Sequence, residues 1–404
     1  MAATDTGNAV QKEAGRAGVA RASIPQLFLS FFRLGSTSFG GPAMVPYIGD
    51  LVVREKGWVE PAAFKDGVAL CQAIPGATAM QTAAYAGFRA RGLPGALASF
   101  VGFGLPAFLL MLALSAAFAA THRLPGVVAV FRGLQAVVVA LTANAAVLFG
   151  LGSLRAWRDG LIAAAAAVFL VANGDPMLAI GGAALAGLVM YPREYRPGSA
   201  ERPPTKPDTT NALRPALFAG IFVVLGFATL YLVNRTLFAL AALMARIDLF
   251  AFGGGFASVP LMQHEVVEAR RWMDSSTFMS GIALGQVTPG PIVITATFVG
   301  YQVGGLAGAT IATLAVFSPS FLLLLVTVPF LDRLRRAPTV QRALRAILAS
   351  FVGLLLAVTV RFSLVTAWTP VTILTALGCF IALRLKVNVV WVVVAGGLLS
   401  FVLA

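Results

Sequence analysis

Long stretches without any charged residue constrain this chain more than any other feature of its sequence. The longest runs from Ser275 to Leu331, 57 residues without one Asp, Glu, Lys or Arg. That length is enough for two membrane-spanning helices, which need about 20 apolar residues each. We therefore expect an all-α polytopic membrane protein. Other charge-free runs cover residues 67–88, 92–121, 133–154, 160–174, 176–192, 215–234, 363–383 and 387–404.

The few charged residues are mostly basic. They make up 11% of the chain, with 30 Lys and Arg against 16 Asp and Glu, whereas about a quarter of residues are charged in soluble proteins. With charges this sparse, the net charge of +14 indicates membrane orientation or an anionic substrate rather than nucleic acid. Two cysteines and two histidines indicate neither a disulfide framework nor a histidine metal site. No lysine follows a glycine, so a phosphate-binding loop is absent. We expect neither enzyme activity nor a cofactor.

The first and second parts of the chain are similar to each other. A shift of 213 or 214 residues aligns rare residue types such as Trp, Gln and Pro-Gly, which chance similarity between apolar segments would not readily do. We infer an internal duplication. The aligned pairs include Arg33 with Arg246, Phe39-Gly40-Gly41 with Phe252-Gly253-Gly254, Trp58 with Trp272, Gln72 with Gln286, and Pro75-Gly76 with Pro289-Gly290.

A proline-rich segment separates the two repeats. Residues 192–215 contain six prolines among charged residues, which is typical of a solvated linker. The polar head of the chain is predicted to be a disordered tail without a signal peptide. The predicted organisation is a tail (1–23), a first repeat (24–192), a cytoplasmic linker with one connecting transmembrane helix (193–234) and a second repeat (235–404).

The number of predicted spans sets the orientation of the repeats. Each repeat offers six hydrophobic elements and the connecting helix adds one, which gives about 13 spans. An odd number inverts the second repeat relative to the first. If the first two elements of each repeat were re-entrant hairpins, the count would fall but the inversion would remain. The positive-inside rule places the N-terminus in the cytoplasm and the C-terminus outside, with Arg89, Arg91, Arg270 and Arg271 cytoplasmic and Arg54, Lys56 and Arg361 outside.

Glycine and proline interrupt the apolar elements at equivalent places in both repeats. A helix that restarts after such a break presents free N–H groups and the positive end of its dipole, which together favour an anion. We therefore predict a substrate site at the breaks, and the alternative is that the glycines only allow close helix packing. The predicted substrate-binding residues at the breaks are Gly40, Gly41, Gln72, Pro75, Gly76, Gly253, Gly254, Gln286, Pro289 and Gly290.

Two arginines are the best charged candidates for the same site. Arg33 and Arg246 are equivalent, and each lies six residues before a Phe-Gly-Gly break. A charge at the bilayer centre costs roughly 2.5 to 3.5 kcal/mol, so the presence of an arginine in each of these two apolar elements requires an explanation. The alternative is that they reach the membrane interface or pair with acids such as Asp248.

Acidic residues near the breaks are weaker candidates. Glu55, Glu265 and Glu268 occupy predicted loops at equivalent places and are candidates for proton coupling. The alternative is ordinary solvation. His264 is a second titratable group in this region, although a single loop histidine usually has no such role.

These motifs together resemble the chromate ion transporter family, two-domain type. The resemblance extends from about Gln26 over nearly the whole chain and rests on the paired Phe-Gly-Gly, Trp, Gln and Pro-Gly motifs. It implies two homologous domains of opposite orientation that move chromate and also recognise the isosteric sulfate. In this family, efflux confers chromate resistance.

On this basis we expect a secondary active transporter that exports chromate across the cell inner membrane by alternating access. The alternatives are a passive, channel-like oxyanion pathway, a transporter for uptake of sulfate or another oxyanion, and a membrane scaffold without flux. Coupling to an ion gradient and exchange of another anion both remain open. The expected partners are the oxyanion, the lipid bilayer and a second copy of the chain, with no nucleic acid.

Overall fold

The computed structural model describes residues 22–39, 44–122, 124–192, 213–330 and 337–403, and every regular element in these ranges is a helix. Five helical stretches are long and apolar enough to cross a membrane, and three shorter helices are also apolar. The predicted helical membrane-protein character is therefore confirmed for the described residues. The five long stretches are 78–121, 125–153, 214–233, 292–330 and 338–365.

The described helices form two sets in the same order, with one connecting helix between them. The duplication inferred from the sequence is therefore present in the fold. The first set is α1 (Ile24–Thr37), α2 (Met44–Gly49) with a π-helical continuation (Asp50–Glu55), α3 (Pro61–Ala73), α4 (Thr78–Thr121), α5 (Pro125–Ser153), α6 (Trp157–Val171) and α7 (Pro176–Met190). The connecting helix is α8 (Arg214–Val233), and the second set is α9 (Arg235–Phe250), α10 (Ser258–Met262) with a π-helical continuation (Gln263–Ala269), α11 (Ser275–Val287), α12 (Thr295–Thr327), α13 (Pro338–Val365), α14 (Pro370–Arg384) and α15 (Val389–Leu403).

Helices α4 and α12 each reverse direction at a glycine. Gly92 has a φ of +63° and Gly305 a φ of +59°, a left-handed conformation that glycine adopts without steric cost. In α4, the Ser99 hydroxyl donates to the Ala83 carbonyl at 2.7 Å, although 16 residues of straight helix would separate them by about 24 Å. The two arms of α4 therefore lie antiparallel, and α12 makes the same reversal.

The preceding helices are also antiparallel to the first arms of α4 and α12. The Tyr85 hydroxyl donates to the Ala63 carbonyl at 3.0 Å, and Gly281 packs against the ring of Phe298. Each Pro-Gly pair is therefore the tip of a helical hairpin. The leading arms, α3 and α11, have 13 residues each, or about 20 Å of helix, which is shorter than the roughly 30 Å hydrocarbon core. The count of about 13 spans is thus not confirmed.

Contacts at the two ends of the molecule correct part of the predicted charge distribution. Arg91 donates to the Ala22 carbonyl at 2.6 Å, which places the reversal of α4 at the start of α1. Glu268 forms an ion pair with Arg361 near the end of α13. Because Glu268 precedes Arg270 by two residues, Arg270 and Arg361 lie at the same end. The prediction that Arg270 lies in the cytoplasm and Arg361 outside is therefore wrong. Each helical hairpin brings the chain back to the end of the molecule at which the hairpin began.

The two repeats exchange helices. Helix α13 of the second repeat packs against α6 and α7 of the first, and α5 of the first repeat packs against α14 and α15 of the second. These six helices form what we call the long-helix bundle. Helices α1–α4 and α9–α12 form the hairpin bundle, in which α1 packs on α4, α9 packs on α12, and α4 and α12 contact each other.

A buried ion pair joins the repeats inside the long-helix bundle. Asp159 at the start of α6 is fully buried and accepts from the Arg345 guanidinium at 2.9 and 2.8 Å. It also accepts from the Tyr191 hydroxyl and from the backbone amides of Arg155 and Ala156, both at 2.8 Å.

We expect Asp159→Asn to destabilise the protein by about 3–5 kcal/mol, because the substitution removes the charge of the fully buried carboxylate from its ion pair with Arg345. The unfolding transition of purified protein in detergent, followed by circular dichroism, measures this loss. Asp50→Asn is the control, since its pair with Arg54 is solvent-exposed and contributes at most about 1 kcal/mol. Equal losses in both variants would contradict the argument.

Candidate functional site

The two Pro-Gly tips meet the ends of α1 and α9 at the contact between the repeats. The Gly76 amide donates to the Ala251 carbonyl at 2.8 Å, and the Gly290 amide donates to the Ser38 carbonyl at 3.0 Å. Ser38 and Ala251 are equivalent positions, as are the two glycines, so the bonds form a reciprocal pair. Both acceptors are helix C-caps. The fold thus brings breaks from both repeats together.

The tip glycines are required by their backbone conformation and their neighbours. Gly76 has a φ of +113° and Gly290 a φ of +117°, values that residues with a side chain rarely adopt. A Cβ on Gly76 would lie 1.8 Å from the Ser320 hydroxyl, and one on Gly290 would lie 2.8 Å from the Ala107 side chain. Ala107 and Ser320 are again equivalent positions. Both tips are therefore packed against the second arm of the opposite repeat's reversing helix.

The glycine break after α9 lies between the two bundles. Gly253 and Gly254 have φ values of +82° and +104°, and a Cβ on Gly253 would lie 2.8 Å from Phe149 of α5 and from Leu348 of α13. This places the break between the hairpin bundle and the long-helix bundle. The equivalent predicted residues, Gly40 and Gly41, lie outside the described residues.

The helices that begin at the tips lack side-chain caps. Helix α4 starts after Ala77, and the short 3₁₀ turn leading into α12 starts after Pro291. The side chain of neither N-cap residue accepts a hydrogen bond from the first helical amides. By contrast, the Asp274 side chain caps α11. The first amides of a helix have no intrahelical partner, and the dipole is positive there. The two tip helices can therefore accept an anion without displacing a cap.

The two predicted glutamines have different environments. Gln72 is exposed, whereas Gln286 is 8% exposed and its buried amide nitrogen has no hydrogen-bond partner in the part of the chain that the structure describes. An unsatisfied buried donor costs about 1–3 kcal/mol. Gln286 lies three residues before the Pro289-Gly290 tip, so its amide is a free donor at the hairpin tip of the second repeat.

The two predicted arginines also differ. Arg246 lies 3.6 Å from the Asp175 carboxylate and 3.4 Å from the Glu265 carboxylate, so its charge is already balanced. The acid that the sequence suggested as its partner, Asp248, does not pair with it. Arg33 is exposed and forms no ion pair within the described ranges. The equivalents of the two acids that hold Arg246 are Asn388 and Leu51, which explains the difference.

The acids near the second break belong to ion pairs. Glu265 is 6% exposed and lies between Arg246 and Arg270, while Glu268 pairs with Arg361 and His264. They lie on a π-helical segment and not in a solvated loop, so ordinary loop solvation does not describe them. The pairs of Arg246 with Asp175 and of Arg361 with Glu268 connect the two bundles at one end of the molecule.

One polar pair at the tips was not predicted as a site. Asp248 is fully buried, and its Oδ2 atom accepts from the Ser320 amide at 2.8 Å and from the Ser320 hydroxyl at 2.5 Å. The Ser320 hydroxyl also accepts from the Ala77 amide at 3.3 Å, beside the first tip. The sequence contained one indication that Asp248 is a candidate site residue, because it is an acidic residue within a mostly apolar helix. Its connection to Ser320, 72 residues away, depends on the tertiary fold.

Comparison with known proteins gives consistent results. A family model described as chromate transporter matches residues 25–188 and 238–401. An uncharacterized transporter of Methanocaldococcus jannaschii is 42% identical over 94% of both chains. A chromate transport protein of Pseudomonas aeruginosa is 32% identical over 93% of this chain and 91% of its own, and one of Cupriavidus metallidurans is 30% identical over 82% and 80%. No solved structure matches the chain.

Proposed function

The chain belongs to the chromate transporter family, and from this premise we propose that it exports chromate, or a similar tetrahedral oxyanion, across the cytoplasmic membrane as a secondary transporter. The observation that carries the proposal is the reciprocal pair of hydrogen bonds from each Pro-Gly tip to a helix end of the opposite repeat. Each tip is followed by a helix start without a side-chain cap, whose N–H groups and dipole favour an anion. Removing a dianion from water requires such fixed donors.

The proposed topology has four re-entrant hairpins and nine spans. The hairpins are formed by α1 with α2, α3 with the first arm of α4, and their equivalents in the second repeat. The spans are the second arms of α4 and α12 together with α5, α6, α7, α8, α13, α14 and α15. Five spans separate the start of the first repeat from the start of the second, so the repeats are inverted. The total of nine is odd, so the termini lie on opposite sides. The excess of basic residues around the linker supports a cytoplasmic N-terminus.

Transport is proposed to occur by movement of the hairpin bundle against the long-helix bundle. The ion pairs Arg246–Asp175 and Arg361–Glu268 connect the bundles at one end. In the alignment of the repeats, the equivalents of these two pairs are Arg33 with Asn388 and Leu148 with Arg54. Neither combination contains an acid, so among the described residues neither pair has an equivalent ion pair. This asymmetry supports a state that is closed at one end, and alternating access requires these contacts to separate.

The direct test is chromate accumulation in inside-out membrane vesicles. We expect uptake against the chromate gradient in vesicles with the protein, and its loss when an uncoupler removes the driving force. Equilibration without accumulation would favour a passive pathway. Absence of any chromate flux, with the protein present in the membrane, would contradict the proposal. Sulfate and molybdate measured alongside chromate define the substrate range.

Gln286 provides a test of the binding site. A hydrogen bond to a charged group contributes about 1.5–3 kcal/mol, so we expect Gln286→Leu to raise the KM for chromate at least about tenfold. Gln72→Leu at the exposed equivalent position should have a smaller effect. Initial rates of vesicle uptake over a range of chromate concentrations provide both values. Equal effects of the two substitutions would contradict a special role of the buried amide.

A further inference from the structure

Within the described ranges, Asp248 is a buried carboxyl group without a countercharge. Its Oδ2 atom has two donors, both from Ser320, while its buried Oδ1 atom has none among the described residues. Gln81 Oε1 is a second buried acceptor without a donor, and the amide nitrogen of the same side chain donates to the Pro75 carbonyl at the first tip. Two acceptors without donors beside one tip provide a place for a proton.

No cation among the described residues forms an ion pair with Asp248. Helix α9 packs against α8, α10 and α12. The second arm of α12 and most of α8 are free of charged residues. Arg246, on the same helix as Asp248, is bound to Asp175 and Glu265. The other charged or titratable side chains on these four helices and the π-helical continuation of α10 are Arg214, Tyr231, Arg235, His264, Glu265, Glu268 and Tyr301. Asp248 is hydrogen-bonded to none of them within the described residues.

The first repeat forms the equivalent helix crossing, between α1 and the second arm of α4, without an acidic residue. Its equivalents of Asp248 and Ser320 are Gly35 and Ala107, and the Gly290 tip still packs against Ala107 and bonds to the Ser38 carbonyl. The fold of the crossing therefore does not require a carboxyl group. Burying one is costly when it is ionised, so its presence in only one repeat requires a functional explanation.

We propose that Asp248 is the proton-linkage site of the transporter, where protonation of the carboxyl group and binding of the oxyanion at the tips favour each other. This inference rests on the proposed function and concerns its charge balance: a dianion that leaves with one proton still carries one negative charge outward, the direction that an inside-negative membrane potential favours. The ionised carboxylate holds the Ser320 donors beside the first tip and repels a dianion. When a proton forms an O–H bond on Oδ1, the negative charge is removed and the dianion binds more tightly. When the dianion leaves, that bond breaks and the proton returns to water.

Proton uptake on binding tests this inference directly. Purified protein is titrated with chromate by calorimetry in buffers of different ionisation enthalpy, which counts the protons taken up for each chromate bound. We expect the wild type to take up about one proton more than Asp248→Asn, and its affinity to change by up to about tenfold more per pH unit. Chromate's own protonation is common to both proteins, so the difference reports the protein group.

A second variant keeps the test independent of folding defects in Asp248→Asn. The double substitution Asp248→Gly with Ser320→Ala reproduces the Gly35–Ala107 pair of the first repeat, which is compatible with the crossing. It should bind chromate without the additional proton. Equal proton uptake in the wild type and this variant would overturn the inference, as would linkage to sodium concentration at fixed pH instead of to pH. Failure of the wild type to bind or transport chromate would contradict the proposed function itself.

Discussion

Gly290→Ala is expected to reduce chromate transport to the background of empty vesicles. The residue has a φ of +117°, and a backbone conformation of this kind costs a non-glycine residue about 1–3 kcal/mol. The new methyl group would also lie 2.8 Å from the Ala107 side chain. Both effects displace the amide that bonds to the Ser38 carbonyl. Chromate accumulation in vesicles, normalised to the amount of protein, measures the loss.

Two controls separate the causes. Combining Gly290→Ala with Ala107→Gly removes the steric contact and leaves the backbone strain, so it should restore transport only in part. Gly378→Ala is the neutral control, since nothing lies within 4 Å of a Cβ at that helical position. Full transport by Gly290→Ala would show that the tip geometry is not needed for function.

Arg33→Ala is expected to produce the second largest effect, a rise in the KM for chromate of at least about tenfold. Arg33 is exposed and has no acid partner among the described residues. It lies on one face of α1 with Gln26, Ser30 and Thr37, and this polar face leads to the Ser38 carbonyl that holds the Gly290 tip. An arginine on such a face is available to an anion, and a charge-assisted hydrogen bond contributes about 1.5–3 kcal/mol.

The matched variants are Arg33→Lys and Arg54→Ala. Lysine keeps the charge but loses the planar donor geometry, so Arg33→Lys should recover part of the affinity. Arg54 is 81% exposed and pairs only locally with Asp50, so its removal should leave the KM unchanged. If Arg33→Ala had wild-type kinetics, Arg33 would be an ordinary interfacial residue and the substrate contacts would have to come from the tips alone.

Several elements of this fold were predictable from local pattern. The charge-free runs identified apolar helices, and the duplicated Pro-Gly and Phe-Gly-Gly motifs identified the breaks as a matched set. The breaks were predictable because proline lacks an amide donor and glycine adopts conformations that end a helix. The left-handed φ values of Gly76 and Gly290 agree with that reasoning.

The environments of equivalent residues were not predictable in this way. Arg33 and Arg246 align in sequence, but only Arg246 is neutralised by Asp175 and Glu265. Gln72 and Gln286 align as well, but only Gln286 is buried. In both cases the difference arises from residues on other helices, whose identity the alignment of the two repeats does not constrain.

The sequence by itself determined that this protein is a duplicated helical membrane protein with matched breaks, because hydropathy, glycine and proline act over a few residues. Only the tertiary structure decided that the chain doubles back at Gly92 and Gly305, that each tip bonds to the opposite repeat, and that Asp248 lies against Ser320. These features depend on which distant surfaces meet. A helix that follows a break has the same local sequence whether it continues across the membrane or returns, and the contacts between distant residues determine its direction.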